Sequence, residues 1–466
     1  MRRNRSGISR RRFLGTAGAA GMAGAAMMGS GVAMAQPHQK KYKIGVLSAE
    51  EAEFGPPQRD LLVWLIENSP NGHLFEVYTG DSTCGEEGED PLRLFRTIFD
   101  MKDEGVDFFV GVSCSGSAQV LMTKPTKAEA YNDSEYYTRF MSMWATSCFM
   151  NTGANSGSIE LWAQQKGPST GGSLHLHSND ITCARGSYPI GYQIGEEMQP
   201  GGMYEGKKIV QITEDAAFPE GLAIGVRTGL SEWGLVPDLD IKVLINTDDI
   251  PGSVANVEAA LLDILDQGYG DGTSILIMNP YNKDENDIFC EAYNNLGDAR
   301  KDFILYGSYG FANVARLGGP PYYDASASKN RKYIPGLIAA DYDLSQDWLD
   351  NDDDGNGTDW LDEYERLYDE IPAIMDDMLS QWGAQIWIMH QVDAANLMMD
   401  LIIRERGNVQ RVNKALATET FQTFAGPATW NYPDPGTKPY DHCFVQYGPT
   451  NSFDLLADYW YTFPMI

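Results

Sequence analysis

The sequence predicts an α/β chain of two Rossmann-like lobes with mostly parallel sheets. Two observations lead there. A strand, a helix and a second strand follow one another over 74–112, and a second series of strands and helices alternates from about residue 177. Strands separated by helices form parallel sheets covered on both faces, and a repeated series of this kind builds two similar lobes.

The elements follow in order. Lys43-Ile44-Gly45-Val46-Leu47 reads as a buried strand, and a helix over 57–68 carries Leu61, Leu62, Trp64 and Leu65. A strand over 74–78 leads to Cys84, and Asp90-Pro91 starts a helix with Leu92, Phe95 and Phe99 on one face. Gly105 ends that helix; Asp at the cap, Pro at the first helical position and Gly past the end are the usual punctuation. The strand Phe108-Phe109-Val110-Gly111-Val112 then runs into Cys114-Ser115-Gly116-Ser117. The two strands of such a unit are parallel, so both cysteines leave one sheet edge, and that edge is where open α/β sheets bind small ligands. In the second series the strands are expected at 209–212, 241–245, 275–278 and 303–306. Helices at 220–233, 253–266 and 284–296 lie between them.

Ser9-Arg10-Arg11-Arg12-Phe13-Leu14, a weakly apolar run and Ala33-Met34-Ala35 form a twin-arginine export leader over 1–35. The twin-arginine translocase is therefore an expected partner during export, and the mature protein is expected to be soluble in the periplasm. No later apolar run approaches the roughly 20 residues of a membrane span. The leader holds six arginines and no acid, so its removal moves the formal net charge from −30 to −36. That charge argues against nucleic acid and anionic membranes as partners. With 43% apolar residues, the 466-residue chain fills two cores of about 100–200 residues each. Six cysteines in an exported chain point to disulfides,. Cys84 and Cys114 make the best pair because neighbouring parallel strands bring both to one edge, while Cys148, Cys183, Cys290 and Cys443 leave three connectivities open. No C-x-x-C occurs, which excludes a zinc ribbon or thioredoxin-like site.

Several motifs recur in order across nearly the whole mature chain. They are Cys84 followed by Gly105 to Ser117, then Lys207-Lys208-Ile209-Val210, Asp215 and Gly221-Leu222-Ala223, and finally Gly426-Pro427-Ala428-Thr429-Trp430. In this the chain resembles the periplasmic leucine/isoleucine/valine-binding family, the solute receptors of branched-chain amino acid and amide ABC transporters. The resemblance implies the type I periplasmic binding fold, two lobes joined by a three-segment hinge. Crossings are then expected near 174–178, 338–341 and 421–426. Lobe one would be 41–176 plus 340–420, and lobe two 177–339 plus 421–466. It further implies an insertion over 124–144, a fourth strand and turn at 149–155, and a bridge at Cys84–Cys114.

Site residues follow from the same resemblance and from the turns that end the strands. Lobe one offers Ser115, Gly116 and Ser117, with Gly153, Ala154 and Asn155. Backbone N–H groups and a hydroxyl there hold a carboxylate or carbonyl without a formal positive charge. Lobe two offers Asn179, Asp180, Asp215, Phe218, Tyr281 and Tyr309. Tyr309 stands where amino-acid-binding relatives commonly carry an acid, and a phenol supplies no charge at neutral pH. The implied function is capture of a small polar solute (an amino acid, an amide or a small carboxylate) and delivery to ABC permease subunits, with no catalysis and no cofactor. The alternatives are a sensory module acting with a receptor in trans and an exported hydrolase. The hydrolase lacks both G-x-S-x-G and H-E-x-x-H.

One motif stands outside this picture. Residues 352–363 match the calcium-loop pattern, with Asp352, Asp354, Asn356, the Thr358 carbonyl and Glu363 as oxygen ligands and Gly357 at the sharp turn,. A structural calcium is the expectation. His175 and His177 share one face of an extended segment, and His390 lies among apolar helix residues; both read as packed histidines rather than metal ligands.

Overall fold

The computed structural model describes residues 41–52, 54–83, 92–112, 114, 117, 141–145, 174–178, 183–281, 283–307, 338–342, 356–382, 385–424, 426–429, 442–447 and 453–459. The leader, the expected helix start at Asp90-Pro91 and the segment 149–155 lie outside the described residues.

The first sheet is built from β1 (Tyr42–Ser48), β2 (Phe75–Asp81), β3 (Phe108–Gly111), β4 (Met141–Ala145) and β5 (Leu174–Ser178). All pairs in it are parallel, in the order β2-β1-β3-β4-β5. Helix α1 (Gly55–Glu67) connects β1 to β2, and α2 (Arg93–Asp103) stands between β2 and β3. Leu61, Leu62, Leu65 and Ile66 of α1 are buried against Ile44, Val46, Phe108 and Val110 of the sheet. The second sheet comprises β6 (Lys208–Glu214), β7 (Leu239–Val243), β8 (Ser274–Asn279), β9 (Phe303–Gly307), β10 (Ile338–Tyr342), β13 (His442–Tyr447) and β14 (Phe453–Tyr459). Its parallel part has the order β7-β6-β8-β9-β10, the same permutation as in the first sheet, and β13 and β14 add to it in antiparallel sense.

Helices α3 (Cys183–Glu197), α4 (Ala217–Ser231), α5 (Ile250–Asp266) and α6 (Lys283–Asn295) belong to the second sheet. Its two faces bury separate clusters. Val210, Ile212, Leu276 and Met278 meet α5 and α6, whereas Ile209, Ile275 and Ile277 meet α3 and α4. After β10 the chain returns to the first lobe as α7 (Asn356–Glu370), α8 (Pro372–Trp382), α9 (Gln385–Arg404) and α10 (Val409–Thr418). Trp360, Tyr364, Met375, Met389, Met398 and Val412 of these helices share one core with α1 and the first sheet. A short antiparallel ribbon, β11 (Thr420–Thr423) with β12 (Gly426–Thr429), leads back towards the second sheet. The chain thus passes between the lobes after β5, after β10 and between β12 and β13. Strand β5 runs two residues past the expected division at 176, and 340–342 stay in the second sheet as the end of β10.

Three expectations need correction. The fourth strand of the first sheet is Met141–Ala145, inside the segment read as an insertion. A five-residue stretch such as Met-Ser-Met-Trp-Ala carries too little periodicity to be told from a loop,. Strands β2 and β3 are not neighbours, because β1 lies between them, so Cys84 and Cys114 follow strands that flank a third. Cys114 is nonetheless disulfide-bonded, while Cys84 lies outside the described residues. Cys290 is a free, fully buried thiol in the α5–α6 core, so it takes part in no bridge. Burial, with Asp287 nearby, pushes its pKa up and keeps it an inert apolar group,.

Helices α3 and α4 approach through glycine. A Cβ at Gly191 would lie 1.9 Å from the Val226 carbonyl oxygen, and one at Gly229 would lie 2.3 Å from that of Tyr188. Both obstacles are backbone, so neither helix can yield locally. Gly191→Ala is expected to cost about 1–3 kcal/mol by overpacking, read as a lowered unfolding midpoint in urea; an unchanged midpoint would contradict the close approach.

Candidate functional site

In both sheets the order 2-1-3-4-5 fixes where a crevice opens. The chain leaves the first strand (β1 or β6) towards one side and returns on the other at the third (β3 or β8). The connections diverge there, and ligands bind outside the carboxyl ends of those strands. In lobe one that point lies between Ser48 and Gly111, in lobe two between Glu214 and Asn279.

Lobe one closes its edge with a chain of hydrogen bonds. The Ser82 N–H donates to the Ser48 carbonyl at 2.7 Å, and Val112 N–H donates to the Leu47 carbonyl at 2.9 Å. Asp81 Oδ1 accepts from the N–H groups of Thr83 at 2.9 Å and Glu50 at 3.2 Å. Ser117 Oγ donates to the Thr83 carbonyl at 2.6 Å. The acids here are held by arginines, Glu50 by Arg59 and Asp81 by Arg93. Thr83 and Val112, both β-branched, adopt positive φ of 53° and 61°. Such backbone costs on the order of 1–3 kcal/mol per residue and persists where the surroundings over-determine it. The first residues past β2 and β3 are therefore held in place.

Of the sequence candidates in lobe one, Ser117 is fully buried and spends its hydroxyl on Thr83. That bond ties Ser117 to the backbone just past β2. Ser115, Gly116, Gly153, Ala154 and Asn155 lie outside the described residues, as do Asn179, Asp180 and Tyr309 in lobe two.

The structure brings Phe218 and Tyr281 together. Their rings meet edge to face, with centroids 5.4 Å apart and an interplanar angle of 84°. Phe218 and Leu222, on α4 of lobe two, are contiguous with the lobe-one core that contains Ile44, Trp360 and Phe424, and Tyr281 packs against the same cluster. The lobes therefore share an apolar contact at the rim of the crevice. Asp215 goes elsewhere: its exposed carboxylate stands 3.7 Å from Lys242 Nζ, in a surface network with Glu220, Arg227 and Asp240.

Glu214, not anticipated from sequence, takes the inward place. It is 7% exposed, and Oε2 accepts the Tyr281 N–H at 2.7 Å. Burial, reinforced by the charge of Glu285, holds its carboxyl well above the usual carboxylate range, against the opposing hydrogen bond from Tyr281,. Beside it, buried Asn279 donates from Nδ2 to Thr213 Oγ1 at 3.0 Å. The signal for Glu214 was an acid closing the otherwise buried run Ile209–Thr213 directly before a helix.

The acidic loop is described only from Asn356 onward. Asp352 and Asp354 lie outside the described residues. Asn356, Gly357 and Thr358 form the start of α7, and both Glu363 carboxylate oxygens accept from Arg366, at 2.8 and 2.9 Å. His175 and His177 lie two residues apart in β5, and His390 is buried on α9. Among the described residues no three His, Cys, Asp or Glu side chains cluster as a metal site, and no helix is long and apolar enough to cross a membrane.

No family model matches this chain, and no curated protein matches it. Solved structures do. A solute-binding protein of an ABC transporter from Rhodopseudomonas palustris, in complex with 3,4-dihydroxybenzoic acid, is 13% identical. That likeness covers 90% of this chain and 97% of the other, with a TM-score of 0.57. Another from Rhodopseudomonas palustris, in complex with p-hydroxybenzoic acid, is 14% identical over 87% of this chain and 93% of its own, with a TM-score of 0.58. An amino acid ABC transporter substrate-binding protein from Pseudomonas fluorescens is 13% identical over 91% and 97%, with a TM-score of 0.55. The chain shares the two-lobed α/β fold of these solute-binding proteins, the fold that its resemblance implied.

Proposed function

We propose that this protein is a solute receptor whose lobes close on one small solute and present it to an ABC permease. The observation that carries this reading is the repeated switch point: two equivalent crevices, one per sheet, with lobes that meet through Phe218 and Leu222. Hinge closure around a ligand is the motion such an arrangement supports. The solute must bind the closed form more tightly than the open one.

For the solute we propose a small carboxylate, with an aromatic acid favoured over an α-amino acid. Three features support the choice. Tyr281, half-buried and backed by the buried Phe218 ring, supplies an aromatic wall, Tyr309 replaces an ammonium-binding acid, and Ser115 with the N–H groups of its turn suits a carboxylate. The structural neighbours crystallised with hydroxybenzoic acids point the same way. Export through the twin-arginine translocase to the periplasm, the bridge Cys84–Cys114 and the absence of catalysis belong to the same proposal.

A thermal-shift screen with benzoate, 4-hydroxybenzoate and leucine tests it. Solute at a hundred times its dissociation constant contributes about 2.7 kcal/mol to the folded state, a rise of several degrees, and it should be recovered unchanged. Conversion of the solute to a product would overturn the receptor reading.

Calcium at 352–363 is a separate proposal, supported by the ligand spacing alone. The ion would have to draw Glu363 away from Arg366 and unwind the first residues of α7. Chelator added to protein purified without it should then lower the melting temperature by a few degrees; an unmoved melting curve returns the segment to a helix N-terminus with an i,i+3 ion pair.

A further inference from the structure

Glu214 ends β6 at the switch point of the second sheet, where β6 and β8 send their connections apart. Its carboxyl is anchored on one side only. Oε2 accepts the Tyr281 N–H, and the other oxygen has no hydrogen-bond partner among the described residues. Directly beside this group the Tyr281 ring packs on Phe218, at the point where the two lobes touch. That second oxygen is not one of the enclosed polar atoms left without a partner, so the 7% of Glu214 that stays exposed includes it, and a group entering the crevice can reach it.

We infer that Glu214 is a solute-reading residue, its unpartnered oxygen completing a hydrogen bond to an oxygen of the solute held between the lobes. The inference deepens the receptor reading and rests on it.

The surroundings decide the sense of that hydrogen bond. The groups along this edge are acids: Asp284 and Glu285 in the first turn of α6, Asp248 and Asp249 before α5, Asp215 after β6 and Glu220 on α4. The nearby cations are committed, Lys242 to Asp215 and Glu220, and Arg227 to Glu220 and Asp240. Burial first and Glu285 second favour the neutral carboxyl. A neutral carboxyl keeps the Tyr281 N–H on its carbonyl oxygen and donates its O–H outward. It therefore suits an acceptor, such as a carboxylate or phenolic oxygen, and not an ammonium group.

The pH dependence has a definite sign. The folded-state pKa lies above the ordinary value of 4.5, so the proton stabilises the native protein. That stabilisation is complete below the ordinary value and is lost as pH rises through the folded one. Solute affinity should fall over the same upper range.

The test compares wild type, Glu214→Gln and Glu214→Ala, with benzoate, 4-hydroxybenzoate and leucine as probes in calorimetry. Solute-free melting curves are recorded from pH 4 to 9. Glutamine keeps a neutral N–H donor, so it should bind the probe within about threefold of wild type and flatten the pH profile of both affinity and melting. Alanine should lose roughly tenfold in affinity, the worth of one hydrogen bond. If Glu214→Ala fails to fold, the glutamine variant and the pH profiles carry the test. Equal affinity and equal pH profiles in all variants would overturn the inference and leave the receptor reading standing. Loss of binding in Glu214→Gln would show a charged carboxylate reading a donor, and would overturn the acceptor assignment. A wild type that binds none of the three probes would overturn the solute class and this inference together, while a melting profile that still differed from Glu214→Gln would show a buried proton of purely structural role.

Discussion

Parallel pairing in one strand permutation is the constraint on which this molecule depends. A strand placed third in sequence but beside the first forces the connections on its two sides to diverge, and the gap they leave is a crevice. The chain does this twice, with β1 against β3 and with β6 against β8. Everything of chemical interest in the described residues gathers at those two edges: the Asp81 and Ser117 hydrogen bonds in one lobe, Glu214 and the Phe218–Tyr281 pair in the other.

The two edges are built differently. In lobe one the described ends of the two strands carry strained backbone at Thr83 and Val112, beside Asp81 and Glu50 held by arginines. Lobe two presents aromatic rings and a buried carboxyl. Between them runs a continuous apolar contact from α4 into the core shared by α1 and α7–α10. Surface ion pairs such as those around Arg227 contribute little, since exposed pairs are worth about 0–1 kcal/mol.

Much of the fold was legible because the local signals agreed. Gly105, at φ +88°, ends α2 where the sequence predicts, and every expected strand and helix of the second series is present within a few residues. What escaped had a physical cause. Strand β4 is five residues with no turn signal around it. The helical start at Asn356-Gly357-Thr358 and the Glu363–Arg366 pair could not be read from the spacing of the acidic segment. Spacing reports which residues could meet, not which partner they prefer. Asp215 and Glu214 show the same limit at the site. Adjacent residues at a strand end point to opposite sides, and nothing in an acidic pair says which of the two turns inward. Cys290 likewise reads as half of a bridge until its helix face is known.

Small-angle X-ray scattering with and without the solute that most raises the melting temperature tests the central claim most directly. A receptor that closes its lobes should show a smaller radius of gyration at saturation, with the change titrating at the solute's dissociation constant. Superimposable scattering curves from free and saturated protein would contradict the account.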